Sequence, residues 1–172
     1  ATALFWALYL LALDPATQED VATEVQAATV NGALDIERLK FTRAVIDETM
    51  RLYPPAFLIA RAAGGPDTIA GRPVKPKDII LIAPWLLHRH EKLWRDPNAF
   101  IPQRFMTGTP PDRFAYLPFG VGARVCIGAH FALVEATLAL AKIIAAFRVD
   151  LVDKEPVMPI GVVTTQPDRS PM

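Results

Sequence analysis

The sequence holds one cysteine, Cys126, in the run Phe119-Gly120-Val121-Gly122-Ala123-Arg124-Val125-Cys126-Ile127-Gly128. A thiol that loses its proton is a nucleophile and a metal ligand, so its neighbours decide what it does. Glycine lets a backbone turn tightly and approach a flat ligand closely. A long apolar helical pattern starts straight after this run, and a helix start offers free N–H groups and partial positive charge to an anion. Arg124 adds a guanidinium suited to carboxylates. The residues describe a loop able to hold a thiolate against a flat, anionic ligand. A cysteine without such neighbours reads as a small buried hydrophobe.

Two further sets of residues bear on this loop. Glu48 and Arg51 lie three apart in a helical pattern over 35–53, where Asp35 is the expected N-cap. Ile36, Leu39, Ile46, Met50 and Tyr53 form one apolar face at helical spacing. Phe41, Val45 and Leu52 flank the charged pair, so that side is also expected to be partly buried. An exposed pair at this spacing is worth about 0.3 kcal/mol, whereas a desolvated one demands fixed partners. Pro102-Gln103-Arg104-Phe105 supplies a second arginine inside an irregular, proline-rich stretch over 96–118.

The chain that must position these residues has 172 positions, 52% of them hydrophobic, which is ample for a packed core. Its 18 basic and 18 acidic residues cancel, which gives no support for nucleic-acid binding. One cysteine forbids an internal disulfide, and a reducing compartment is the simpler setting. His130 follows Cys126 by four residues, but two residues do not make a zinc site. The apolar run over 1–13 is too short for a bilayer span of about 20 residues and lacks the features of a leader. It begins in mid-pattern, as expected of a fragment.

In order, the pattern predicts the end of a helix over 1–13, stopped at Asp14-Pro15. Helices follow over 17–30 and 35–53, then strands over 57–63, 67–70 and 79–83. One or two short helices are expected over 84–94, where His88 and His90 lie in a mixed-charge stretch read as surface. A helix over 129–147, apolar nearly all round, is expected to be buried. Strands close the chain over 148–166. The fold class is therefore mainly α with small β-sheets.

Phe119, Gly120, Gly122, Arg124, Cys126 and Gly128 fit Phe-x-x-Gly-x-Arg-x-Cys-x-Gly, and here the chain resembles the haem-thiolate cytochromes P-450. The order of the helix tail over 7–15, Glu-x-x-Arg, Pro-x-Arg-Phe and the cysteine loop strengthens that resemblance. It implies that residues 1–172 are the C-terminal, haem-binding part of one catalytic domain, whose extreme C-terminus would continue with a further short strand. Cys126 would be the axial ligand of haem b. Phe119, Gly120, Gly122, Arg124 and Gly128 would surround the haem, and Arg61 would pair with a propionate. Glu48, Arg51 and Arg104 would form a structural triad that locks 96–118 for folding and haem retention. Ala56, Phe57 and Leu58 would line the substrate pocket.

The resemblance implies a monooxygenase that oxidises a small organic, apolar substrate with dioxygen. Electrons would come from a ferredoxin or flavoprotein, docked on a face that includes Arg89, Lys92, Arg95 and His130. The acid–alcohol pair that handles oxygen would lie upstream of Ala1, with Thr2 a weak candidate for the alcohol. A peroxide-driven or isomerase member of the same fold, and a non-catalytic haem-binding fragment, are the alternatives. A soluble, cytoplasmic location is expected.

Overall fold

Asp14-Pro15 divides the first two helices. Proline cannot continue the hydrogen-bond ladder of α1 (Thr2–Leu13), yet its fixed φ suits the first turn of α2 (Pro15–Ala28). Asp14 caps that turn by accepting from the Thr17 amide at 3.1 Å and the Thr17 hydroxyl at 2.7 Å. In the computed structural model, which describes residues 1–108, 111–153 and 155–171, these helices pack with α3 (Lys40–Leu52) and α5 (Ala129–Ala146). Ala7 and Leu11 of α1, Val21 and Val25 of α2, Val45 and Ile46 of α3, and Leu140 and Ala141 of α5 share one core.

The expected N-cap of α3 is corrected by the structure. Asp35 accepts from the Glu37 amide and closes a separate 3-10 turn, Ile36–Arg38. α3 starts later, at Lys40, and the residue before it gives no side-chain cap. Glu24 reaches across from α2 instead. Its carboxylate accepts from the amides of Phe41 at 2.6 Å and Thr42 at 2.7 Å, and from the Thr42 hydroxyl at 2.7 Å. A negative charge here satisfies the orphan donors and opposes the positive end of the helix.

Among the described residues, four antiparallel two-stranded sheets complete the fold. They are β1 (Thr29–Val30) with β2 (Ala33–Leu34), β3 (Ile59–Ala62) with β6 (Ile79–Ile82), β4 (Asp67–Ile69) with β5 (Arg72–Val74), and β7 (Pro159–Gly161) with β8 (Thr165–Pro167). In the β3–β6 pair Arg61 stands opposite Ile80. α4 (Pro84–Leu87) follows β6 directly. Segment 88–128 has no helix longer than the short 3-10 turns Pro102–Phe105 and Gly122–Arg124 among its described residues. Thr109 and Pro110 of the expected irregular stretch lie outside the described residues.

α5 departs from expectation in burial. It is apolar almost all round, yet only Thr137, Leu140, Ala141 and Ile144 are buried, and Phe131 is 71% exposed. In this chain α1, α2 and α3 cover one side of it. A second, smaller cluster joins Trp6, Tyr9 and Val157, where Trp6 stacks on Tyr53 at 4.0 Å and donates from Nε1 to the Thr165 carbonyl. This contact ties the closing hairpin to the first helix.

The Glu24 cap gives a direct expectation. Glu24→Ala should destabilise the fold by about 2 kcal/mol, because three donors lose a charged acceptor at once. Denaturant unfolding should show the midpoint falling with little change in slope.

Candidate functional site

α3 carries the pair that organises the site. Glu48 and Arg51 lie on one helix edge, and both side chains are fully buried. The Arg51 guanidinium holds the carboxylate through two bonds, Nε to Oε2 at 2.7 Å and Nη2 to Oε1 at 2.8 Å. Its remaining three N–H groups donate to the carbonyls of His88 at 2.7 Å, Pro97 at 2.6 Å and Ala99 at 3.0 Å. All five donors of the fork are used. Arg104 brings a second guanidinium to Glu48 Oε1 at 3.0 Å, and the Ile101 amide donates to the same oxygen at 2.9 Å. Arg104 also donates to the carbonyls of Arg95 and Asp96. The structure thus brings Glu48, Arg51 and Arg104 together, and the backbone they hold runs over 88–101.

The later residues Tyr116 and Leu117 are held by residues that sequence reasoning missed. Tyr116 donates its hydroxyl to the Asp47 carboxylate at 3.0 Å and carbonyl at 2.9 Å. Burial raises the pKa of Asp47 despite the opposing charge of Arg43, and burial also holds the Tyr116 phenol well above its ordinary value. His88, expected on the surface, is fully buried, which corrects that reading. Its Nε2 accepts from the Leu117 amide at 2.8 Å, and its Nδ1 faces the Arg51 carbonyl at 3.2 Å. Because an amide can only donate, Nε2 is bare and the proton sits on Nδ1. Burial depresses the imidazole pKa to about 4. The signal available in the sequence was only the proximity of His88 to α4; both partners are distant in the chain.

The cysteine loop is built on the residues just after Leu117. Gly120 and Gly122 have φ of +73° and +78°, a region that side chains with a Cβ rarely adopt. The Cys126 amide donates to the Phe119 carbonyl at 3.0 Å, closing the loop, and the 3-10 turn Gly122–Arg124 lies between them. Gly128 lies against the sulfur: a Cβ there would stand 4.0 Å from Sγ. Cys126 is exposed and carries no disulfide. Among the described residues, the amides of Ile127 and Gly128 donate to no protein acceptor, which leaves donors free beside the thiol.

Phe119 connects this loop to a largely apolar recess of about 570 Å³, lined also by Ala1, Leu4, Met50, Pro55, Ala132 and Ala136. Thr2 lines it too. A thiol, free amides, a glycine-shaped cradle and an apolar recess sharing Phe119 form a set that fits a flat, iron-containing macrocycle. Arg124 and Arg61 are exposed and have no acid partner among the described residues; Arg61 donates only to the Ala60 carbonyl. No group of three His, Cys, Asp or Glu side chains able to hold a bare metal ion occurs among the described residues.

The other expected site residues are dispersed. Phe57 lines a cavity of about 210 Å³ with Trp85, Pro159, Gly161 and Thr165, while Ala56 and Leu58 are exposed. A Cβ on Gly161 would come within 2.8 Å of the Phe57 ring. Lys92, Arg95 and His130 are exposed, as a docking face would need. Arg89 is set apart from them: its guanidinium stacks 3.7 Å over Trp85, and burial lowers its pKa to about 10. At neutral pH it remains charged and packed against aromatic rings.

The loop thus carries Phe-x-x-Gly-x-Arg-x-Cys-x-Gly on a mixed fold of helices and small sheets. The cytochrome P450 family model matches residues 1–170, and the chain belongs to that family. It is 39% identical over 153 residues to cyclooctatin synthase of Streptomyces melanosporofaciens, covering 86% of this chain and 33% of that protein. It is 36% identical over 161 residues to dimethylnonatriene synthase of Arabidopsis thaliana, covering 89% of this chain and 31% of the relative. Cytochrome P450 71D18 of Mentha gracilis is 34% identical over 154 residues, at 86% and 31% coverage. The chain spans about a third of the length of the curated relatives it matches.

Two outcomes follow from the buried cluster. Glu48→Gln should destabilise by about 3–5 kcal/mol, because it leaves two guanidinium groups without their countercharge. Arg43→Ala removes a pair whose arginine is 41% exposed, and should change stability by no more than about 1 kcal/mol. Denaturant unfolding of the two variants side by side checks the contrast. The pH dependence of stability follows from His88, which titrates near 4 in the fold and near 6.5 in the open chain. Its contribution is complete above pH 6.5 and is lost on acidification towards 4, by about 3 kcal/mol in all. Asp47 acts in the opposite sense, its contribution growing as pH falls. His88→Gln should remove the His88 part of the fall in stability between pH 6.5 and 4, as a stability–pH curve beside wild type would show.

Proposed function

We propose that residues 1–172 form the C-terminal, haem-binding part of a single cytochrome P450 catalytic domain, with Cys126 as the axial thiolate of haem b. The observation that carries this reading is the loop itself: an exposed thiol held by the Cys126–Phe119 backbone bond, beside free amides and an apolar recess that shares Phe119. When bound, haem supplies the activation of dioxygen, and a thiolate ligand favours cleavage of the O–O bond.

The chain's own residues hold and shield that group. The amides of Ile127 and Gly128, unengaged beside the thiol, would donate to the sulfur of a haem-bound Cys126 and keep it in the thiolate form. Phe119 packs beside the loop and limits water. Arg124 and Arg61 offer guanidinium groups to propionates. Glu48, Arg51 and Arg104 act through the backbone they fix rather than on the reacting atoms. Phe57, with the neighbouring Ala56 and Leu58, presents an apolar wall to a small organic substrate. A ferredoxin or flavoprotein delivers electrons, drawn by exposed basic side chains among which are Lys92, Arg95 and His130. The location assigned with this reading is cytoplasmic.

The exposed faces of α5 favour a second statement: the activity belongs to the longer protein rather than to these residues alone. α5 is apolar nearly all round, with one side buried, and in the whole domain the remaining faces meet further chain. The isolated 172-residue chain should therefore turn over substrate poorly even where it takes up haem.

The absorption spectrum of the haem-loaded protein, reduced under carbon monoxide, tests the ligand assignment. A strongly red-shifted Soret band is expected, and Cys126→Ala should abolish it. A band that survives the substitution, or no such band in either the isolated chain or a longer protein containing it, would overturn the assignment.

A further inference from the structure

His88 occupies a place that neither the triad nor the cysteine loop accounts for. Its carbonyl accepts from Arg51 Nη1 at 2.7 Å, its Nδ1 side meets the Arg51 carbonyl at 3.2 Å, and its Nε2 accepts from the Leu117 amide at 2.8 Å. The ring is fully buried, 5.3 Å from the Tyr116 ring. Leu117 is the last point at which a buried side chain grips the backbone before the loop. From there the Leu117 carbonyl accepts from the Gly120 amide at 3.2 Å, and the Phe119 carbonyl accepts from the Cys126 amide at 3.0 Å. A continuous series of bonds thus runs from the Glu48–Arg51 pair through one imidazole to the residue that carries the thiol.

We infer that His88 is a positioning residue for Cys126: as an uncharged acceptor for the Leu117 amide, it transmits the fixed geometry of the buried ion pair to the entry of the thiolate loop. The inference rests on the reading of Cys126 as the haem ligand. The chemistry requires a group that accepts at Nε2 while it donates at Nδ1, which a neutral imidazole does at this spacing and an ammonium or guanidinium cannot. Protonation would set an N–H at Nε2 against the Leu117 N–H. The charged groups around it are Arg51 and Glu48 from α3 and Arg89 from its own segment, with Tyr116 packed against the ring; burial and the two cations oppose a charge on the imidazole. Glu48 favours such a charge, but its carboxylate is already engaged by Arg51, Arg104 and the Ile101 amide.

The test compares His88→Leu, which keeps volume and loses the acceptor, with His88→Gln, whose side-chain oxygen can still accept. Val25→Ala, in the helical core and outside the His88–Leu117 series of bonds, controls for general loss of stability. The haem-loaded protein is followed by two readouts: hydrogen exchange at the Leu117 amide, and the fraction of the reduced, carbon-monoxide form that shows the thiolate-type Soret band. The expected result is at least ~10-fold faster exchange at Leu117 and at least a two-fold smaller thiolate fraction in H88L, with H88Q restoring most of both. V25A, at an equal loss of melting temperature, should leave both near wild type. The inference is overturned if H88L matches wild type, or if V25A reproduces its effects. Should H88L fail to fold, H88Q decides: it must keep slow Leu117 exchange and the thiolate band together, and loss of the band with Leu117 exchange still slow overturns the inference. A wild type without a thiolate band removes the ligand assignment and this inference with it; a wild-type band insensitive to His88 removes this inference alone.

Discussion

The Glu48 carboxylate is the constraint on which the rest of the site depends. It lies fully buried on α3 and is shared by two arginines and one backbone amide. A charge in that position is tolerable only while every partner is in place, since desolvation opposes it strongly. The partners come from α3 itself and from an irregular segment with no regular ladder of its own. That segment meets the general demand that buried backbone groups find partners by giving its carbonyls to Arg51 and Arg104. Order in a region without long helices or strands is thus imposed from one helix edge. The preference for arginine over lysine has a direct cause, because five fixed donors are all consumed.

A second tether extends that order toward Cys126. Asp47 and His88 grip Tyr116 and Leu117, just ahead of Phe119. The loop then needs little of its own: two glycines at positive φ, one closing backbone bond and a short 3-10 turn. Rigidity comes from the buried supports and exposure from the loop, so the thiol is fixed yet open. This division of labour is what a ligand to a flat cofactor requires.

Local spacing made part of this legible. The cysteine loop, Glu-x-x-Arg and Pro-x-Arg-Phe could be read as residue patterns, and their order pointed to the family. The amphipathic pattern of α3 and the stop at Asp14-Pro15 followed from periodicity and proline chemistry. What escaped were contacts between residues far apart in the chain. His88 sits in a run of charged neighbours and reads as surface, because its partners Arg51 and Leu117 lie 37 and 29 residues away. Glu24 caps a helix that starts 16 residues later, so the nearer Asp35 took its place in the reading. The burial of α5 was overestimated because composition records how apolar a helix is, not how many of its sides are covered.

The aromatic residues give the two halves of this architecture separate optical signatures. Trp6 is fully buried in the small cluster beside the helical core and stacks face to face on Tyr53. Trp94 is buried under the Arg51 guanidinium, 5.2 Å from its ring centre, and touches Phe105 and Tyr116. An indole moved from such surroundings into water emits at longer wavelength. Trp94 therefore reports on the grip of the buried ion pair over the irregular segment, while Trp6 reports on the packing of α1 against the closing hairpin. With Trp85 as the remaining indole, stacked against Arg89, single-tryptophan forms of this chain would show whether the loop's supports release before the core opens or together with it.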